Sequence, residues 1–592
     1  GVYVYGGRPF LEGLVREVRS RRPAMMTLVG VAITVALAYS IPVALAGGEG
    51  LLWELTTLID IMLLGHLIEM KATMRASEAL EKLAALIPAE AHLVSDGETK
   101  DVHVGFLKPG HVVLVKPGER IPSDGVVVEG EANIDESLLT GESKPVFKTV
   151  GSPVIGGALN LDGALKVRVE KVGEETFLSN VIRLVNEAQM SKSKTQLLAD
   201  KAASILTPVA IVSGLAAFAY WAIVTGDLAF AVERMVSVVV VACPHALGLA
   251  IPLVVSVSTS LAASNGMLIR NRVGFEEARK VDAVVFDKTG TLTKGEFKLA
   301  RIELFDKGLD EREALGLTAA LEALSEHSLG KPIVEEAKAR GIELPGVTGF
   351  KALPGRGIYG LVDGKEVYVG GLMLLRELRL SVDEAYKAEG ANRIFLMVDG
   401  EVKASFTLSD VIREESSYAV KTLKGMGVEV FMVTGDDEEV ARDVAWKLGI
   451  ERFFARVTPE GKVDIVKKLQ SEGWKVAMVG DGINDAPALA RADVGVAIGA
   501  GTDVAVEAGD VVLIRSDPRD VATLLRLSKA TYRKMFENIL WATWYNALTI
   551  PLAGGLLYGW GILLPPAIGA VLMTLSDIIV AVNALTLRRF KG

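Results

Sequence analysis

Six long apolar runs divide this chain of 592 residues, near 24–46, 51–70, 202–225, 229–263, 535–558 and 561–587. Each holds the roughly 20 mostly apolar residues that a helix needs to cross a bilayer, and the fourth is long enough to tilt or break. Between them the pattern changes twice. From 73 to 197 it alternates over short stretches, as in His111-Val112-Val113-Leu114-Val115, Gly125-Val126-Val127-Val128 and 164–169, with turns such as Ser123-Asp124-Gly125 in between. That alternation predicts a small β-rich domain. From about 270 to 530, three apolar strands end in acid-bearing loops: Val281–Val285 before Phe286-Asp287, Val428–Val433 before Thr434-Gly435-Asp436-Asp437, and Lys475–Val479 before Gly480-Asp481. Such strands predict a parallel doubly wound sheet with its site at the strand tips.

Charge then sets the topology. Arg19, Arg21 and Arg22 precede the first run, Lys71 and Arg75 follow the second, and Lys192, Lys194 and Lys201 precede the third. Arg270 and Arg272 follow the fourth, Lys529, Arg533 and Lys534 precede the fifth, and Arg588, Arg589 and Lys591 follow the sixth. The short loops at 47–50, 226–228 and 559–560 carry neither Lys nor Arg. The positive-inside rule puts both termini and both large insertions in the cytoplasm of a multi-pass plasma-membrane protein. Ahead of the first run, Gly6-Gly7-Arg8-Pro9 opens a basic amphipathic helix suited to a membrane surface. Composition narrows the classes further. Half the residues are hydrophobic and the net charge is −9, which leaves no basic surplus for nucleic acid. Mean hydropathy is +0.35. One cysteine excludes an internal disulfide and a Cys-x-x-Cys metal module, and six scattered histidines make no His-rich tail.

The chemistry sits in short motifs. In Phe286-Asp287-Lys288-Thr289-Gly290-Thr291-Leu292-Thr293 a strand delivers a carboxylate to the mouth of the sheet, where it can attack a phosphate and become an acyl phosphate. In the first insertion, Thr140-Gly141-Glu142-Ser143 presents a carboxylate on a tight turn that can approach a second domain. The fourth run carries Val241-Ala242-Cys243-Pro244-His245, where the proline breaks the helix between a thiol and an imidazole. Polar groups at membrane depth are costly and functional, and these two suit soft ions such as Cu(I), or zinc for the imidazole.

Taken in order, these motifs resemble the P-type ATPases over nearly the whole chain, and Cys-Pro-His resembles the CopB-like copper-transporting branch of their heavy-metal (type IB) group. The resemblance implies a multidomain membrane protein. Its α-helical transmembrane bundle would carry a β-rich actuator domain and an α/β haloacid-dehalogenase-like phosphorylation domain, with an inserted α+β nucleotide-binding domain. The implied divisions are a platform helix over 1–22, spans over 23–72, the actuator over 73–197, spans over 198–265, phosphorylation parts over 266–299 and 409–530, the nucleotide domain over 300–408, and spans over 531–592. The platform resemblance also implies that a preceding helix and a half is missing.

By the same resemblance Asp287 is the nucleophile, and Thr434, Gly435 and Asp436 hold the phosphoryl group. Lys462 neutralises it, and Asp287, Thr289 and Asp481 bind Mg²⁺ with support from Asn484 and Asp485. Glu142 positions the hydrolytic water. Glu322, His327, Gly355 and Gly357 would hold ATP, although Ser328 stands where the family has proline. The transported copper ion, Cu⁺ or Cu²⁺, would meet Cys243, His245, Met573, Ser576, Tyr545, Asn546 and Asp577. Met25, Glu69 and Asp200 would line its uptake path, and Glu54 its exit. Asp577 departs from the family pattern and keeps Zn²⁺ or another divalent ion open as cargo. A non-pumping membrane sensor or channel is the remaining alternative. ATP, Mg²⁺, the ion, the lipid bilayer and a cytoplasmic metal donor are the implied partners of a monomer.

Overall fold

The computed structural model describes residues 1–592 except 21–24, 48–49, 77–85, 96–97, 137–144, 191–193, 244, 306–307, 326–328, 354–355, 381–392, 437, 482–484, 500–508 and 591–592. The chain forms two compact units, Gly1–Arg279 with Leu524–Gly592, and Lys280–Thr523.

In the first unit every apolar run is helical. The helices are Met25–Leu45, Leu52–Ala76, Lys194–Thr225, Leu228–Val241 followed by His245–Ser264, Arg519–Ala553 and Pro566–Leu585. By length and composition alone, three qualify as membrane spans among the described residues: Met25–Leu45, Thr195–Thr225 and Pro566–Arg589. The others fall short for physical reasons. Leu52–Ala76 carries Glu54, Asp60, His66 and Glu69, the fourth run is cut in two, and Arg519–Ala553 starts well ahead of its apolar part.

The amphipathic start is a helix, Arg8–Arg19, preceded by a short one, Val2–Tyr5. Gly7 makes that join possible, because a Cβ there would lie 2.3 Å from the Tyr3 carbonyl oxygen. The Glu17 carboxylate then accepts from the backbone amides of Met26 (3.3 Å) and Thr27 (2.8 Å) and from the Thr27 hydroxyl (2.7 Å). It thereby caps the first span, a contact of about 1 kcal/mol. The flanking arginines are not all solvated. Arg272 is fully buried, with its guanidinium 3.0 Å from the Ser258 hydroxyl and over the Phe275 ring.

The same unit holds the β-rich insertion. One sheet joins Glu98–His103, Glu90–Ser95, Val112–Val115, Leu165–Val169, Gly125–Glu129 and Pro153–Val154 in that order, and a small sheet joins Val146–Lys148, Ala132–Asp135 and Leu159–Asn160. Val113, Val115, Val127, Val167 and Val169 supply its core, each from alternate positions of a strand.

The second unit has two layers of different character. A parallel sheet runs Val511–Leu513, Val494–Ile498, Val476–Gly480, Ala283–Asp287, Glu429–Val433, Arg452–Phe454. Ala283–Asp287 is buried along its length, as expected for a central parallel strand. From its tip the chain enters an antiparallel sheet by Thr293–Leu304 and returns by the paired strand Glu401–Ile412. That sheet also contains Val347–Leu353, Gly357–Val362, Lys365–Gly370 and Arg393–Val398, and packs on helices Glu311–Glu322 and Lys331–Ala339.

Candidate functional sites

Three neighbouring strands end at one place, because Ala283–Asp287 pairs in parallel with Glu429–Val433 on one side and Val476–Gly480 on the other. Asp287 is buried there. Lys462 reaches it from the first turn of helix Pro459–Ser471, whose N-terminus is set by Thr458 accepting from the Gly461 amide at 3.2 Å, with Pro459 opening the helix. The Lys462 ammonium lies 2.8 Å from Asp287 Oδ1 and 2.5 Å from Asp485 Oδ1. Asp485 packs directly over the end of a neighbouring strand, which only glycine allows: a Cβ on Gly480 would lie 2.2 Å from its carboxylate. Burial, helped by the charges of Asp485 and Asp481 and opposed by Lys462, pushes the Asp287 carboxyl up to about 7.

The other motif residues surround this centre. Thr434 is buried, and its hydroxyl accepts from the Asp436 amide at 3.1 Å. Gly435 is exposed at the tip, and Thr289 is exposed beside Asp287. Asp436 is half-buried and forms an ion pair with Lys288, itself buried next to Asp287. Asp481 is half-buried. Asn484 lies outside the described residues, as does Glu142. What is described around Glu142 is the base of its hairpin: Ala132–Asp135 pairs with Val146–Lys148, and Lys148 meets Glu136 at 3.0 Å with both side chains largely buried.

Sequence reasoning missed the clamp behind the Asp287 loop. Arg413 donates to the carbonyls of Thr293 (3.0 Å) and Gly290 (3.2 Å), and Ser416 to that of Leu292 (2.8 Å). Thr293 donates to the Asp410 carboxylate at 2.5 Å. Gly290, at φ +76°, gives the turn a conformation few other residues adopt. The signal was present as Asp410 to Ser416, placed where the chain returns to the parallel sheet.

Of the residues assigned to ATP, Glu322 ends its helix in a buried position, and a Cβ on Gly330 would lie 2.2 Å from its carboxylate. Burial, partly offset by Ser325, pushes its carboxyl up to about 7. Gly357 faces Gly370 across two paired strands, where a side chain would strike the Val369 carbonyl at 2.3 Å. His327 and Gly355 lie outside the described residues.

In the membrane bundle the helix stops at Val241 and restarts at His245. Cys243 sits in the break, buried, in one packed cluster with Met573 and with Met62 of the second run. Met62 is a thioether that the sequence patterns did not single out. Ser576, Asp577 and Asn546 are also buried, and Tyr545, half-buried, lies within electrostatic range of Cys243 and Asp577. Among the described residues, Ser576 Oγ, Thr574 Oγ1 and Asn546 Oδ1 are buried without a hydrogen-bond partner. The His245 side chain, like those of Glu69 and Asp200, lies outside the described residues. Met25 is half-buried at the start of the first span and Glu54 half-buried near the start of the second. A cavity of about 430 Å³ opens beside the platform helix, lined by Arg8, Glu12, Arg16, Glu17, Met26 and His66 among others.

Comparison with known proteins agrees with this geometry. Residues 85–186 match the P-type ATPase actuator domain, and residues 281–493 match haloacid dehalogenase-like hydrolases. The chain is 54% identical to the copper-exporting P-type ATPase B of Archaeoglobus fulgidus, over 99% of this chain and 85% of that one. It is 39% identical to a silver exporting P-type ATPase of Salmonella typhimurium, over 99% of this chain and 74% of the other. The crystal structure of a zinc-transporting PIB-type ATPase in the E2.Pi state superposes with a TM-score of 0.63 at 29% identity, covering 99% of this chain and 94% of that one. The chain belongs to the P-type ATPases, in the heavy-metal type IB branch that holds the copper-exporting P-type ATPases B.

Proposed function

We propose that this ATPase exports copper from the cytoplasm, with Cu⁺ the form its site favours. The observation that carries the reading is Cys243, buried in a helix break within the same packed cluster as Met62 and Met573. A thiolate and thioethers select soft monovalent ions, and relatives named as copper and silver exporters support that choice. In this reading six spans cross the plasma membrane, both termini and both insertions are cytoplasmic, and the ion binds Cys243, His245 and Met573, with Ser576, Asn546, Tyr545 and Asp577 completing the site. Met25, Glu69 and Asp200 lead it in, and Glu54 leads it out.

ATP held by Glu322, His327, Gly355 and Gly357 presents its γ-phosphate to Asp287. The carboxylate attacks phosphorus, the bond to ADP breaks, and an aspartyl phosphate forms. Lys462 offsets the charge on the phosphoryl oxygens, and Thr434 and Gly435 hold them. Asp436 fixes Lys288, and Asn484 and Asp485 support the acidic cluster. The donors fit Mg²⁺: three carboxylates face one lysine, and Asp485 Oδ2 is buried without a hydrogen-bond partner. Asp287, Asp481 and Thr289 would hold the metal, which supplies neutralisation of the transferring phosphate. Glu142 then orients a water for hydrolysis, and the ion is released outward.

A second reading, Zn²⁺ or another divalent cargo, rests on Asp577, a hard oxygen ligand. Phosphoenzyme formation across Cu⁺, Ag⁺, Cu²⁺, Zn²⁺ and Cd²⁺ separates the two. Copper export predicts labelling with Cu⁺ and Ag⁺ that disappears in Cys243→Ala; labelling with Zn²⁺ alone would reverse the assignment.

A further inference from the structure

Arg234 is a fully buried charge in the helix Leu228–Val241, costly at membrane depth. Its guanidinium donates to the carbonyl of Leu564 at 2.9 Å and of Ala553 at 3.3 Å, pairs with Glu233, and lies 5.3 Å from the centre of the Phe230 ring. Ala553 ends the fifth-run helix, so its carbonyl is one of the groups a helix leaves unpaired. The reversal that follows is held a second time, by Trp221 donating to the Gly554 carbonyl at 2.7 Å. Gly555, at φ +91°, lets the chain close on that indole: a Cβ would fall 2.7 Å from the ring.

The position of this latch gives it meaning. Cys243, Asn546 and Met573 lie on the same three segments as Arg234, Ala553 and Leu564. Counting 1.5 Å per residue, the latch stands roughly 10–14 Å further along each, toward the short reversals. Val238 and Val241, between Arg234 and Cys243 in the chain, and Ile550, between Asn546 and Ala553, belong to one apolar cluster that reaches the latch residues Ala553 and Leu564. An apolar cluster ending at a cation thus lies on one side of the candidate ion site.

We propose that Arg234 guards the outward side of the pump's ion site: its bonds to Ala553 and Leu564 hold its charge on the release path, where it opposes rebinding of the exported cation. The inference rests on the export reading above. A unit charge roughly 13 Å away, at an effective dielectric of about 20, changes cation binding about tenfold.

The test uses the purified full chain in sealed vesicles with the catalytic domains outside, so that the lumen is the product side. On the export reading, Cu⁺ rebinding from the lumen should suppress phosphoenzyme formation from inorganic phosphate. In Arg234→Met the luminal Cu⁺ giving half-suppression should fall about tenfold. Arg234→Lys, which keeps the charge but not the two-carbonyl grip, should stay near wild type. Glu233→Gln, which leaves Arg234 unneutralised, should shift half-suppression upward. No luminal shift in Arg234→Met, or Lys behaving as Met, would reduce Arg234 to a helix-end cap. If the wild type itself forms no metal-dependent phosphoenzyme, the export reading fails instead.

Discussion

At the tips of the parallel sheet Lys462 bridges Asp287 and Asp485, Asp436 pairs with Lys288, and Arg413 grips the loop between them. In the membrane bundle Ser576 and Asn546 are buried as well, and Ser576 Oγ and Asn546 Oδ1 have no hydrogen-bond partner among the described residues; Asp485 Oδ2 at the sheet tips has none either, but there the other oxygen of the same carboxylate is fixed by Lys462. The contrast follows from what each place has to do. A covalent step at a fixed address gains from side chains already held in position, since no reorganisation is then needed during reaction. An ion in transit is bound by groups whose best partner is the ion itself, and which are costly to bury without it.

The contrast can be broken at either end. The largest effect is expected from Asp287→Asn: acid-stable labelling from γ-³²P ATP should fall by on the order of a thousandfold or more. Labelling near wild type would move the nucleophile elsewhere. Next is Lys462→Met, which leaves two buried carboxylates facing each other. Turnover should drop by about 10²–10³. Thermal unfolding should show a loss of about 3–5 kcal/mol, the cost of stripping one partner from a buried pair. An undiminished melting temperature would mean that the pair is not buried as described.

Ser576→Ala should behave in the opposite way. Removing an unpaired buried hydroxyl should leave the metal-free protein as stable or up to about 1 kcal/mol more stable, while the copper concentration for half-activation rises. A metal-free protein that is clearly destabilised would show that Ser576 has a structural partner.

The smallest effect concerns pH. The folded Asp287 carboxyl keeps its proton up to about pH 7, whereas an unfolded aspartate loses it near pH 4. Between those values the folded state binds more protons, so without Mg²⁺ this residue makes stability fall as pH rises. Mg²⁺ must displace that proton. Its apparent affinity should therefore climb as pH rises toward 7 and level off above it, and Asp287→Asn should flatten both trends. Mg²⁺ affinity that does not change between pH 5 and 7 would contradict the raised carboxyl.

Much of this is legible in the sequence. The strand ending in Asp287 and the break at Cys243-Pro244-His245 are local: an apolar run followed by an acid, and a proline inside a span, each dictate structure within a few residues. What stayed hidden was held by distance in sequence. Arg413 and Ser416 act on a loop more than a hundred residues upstream, across the whole inserted sheet. Glu136 and Lys148 look like two surface charges until the hairpin closes and buries them. Met62 reads as one more apolar residue in a span, and only packing brings it into the cluster that holds Cys243. Arg234 shows the same limit, since two of its partners are the backbone carbonyls of Ala553 and Leu564, which no side-chain pattern announces.

The central claim is that phosphorylation of Asp287 depends on an ion held at Cys243 and Met573. Rapid acid quench after mixing the purified chain with Mg²⁺, γ-³²P ATP and buffered Cu⁺ tests it most directly. Label should appear with Cu⁺ in the wild type and be lost with Cys243→Ala or Met573→Ala. Both variants should still label from inorganic phosphate, which does not need the ion. Equal labelling from ATP in Cys243→Ala, or none in the wild type with any transition metal, would contradict the account.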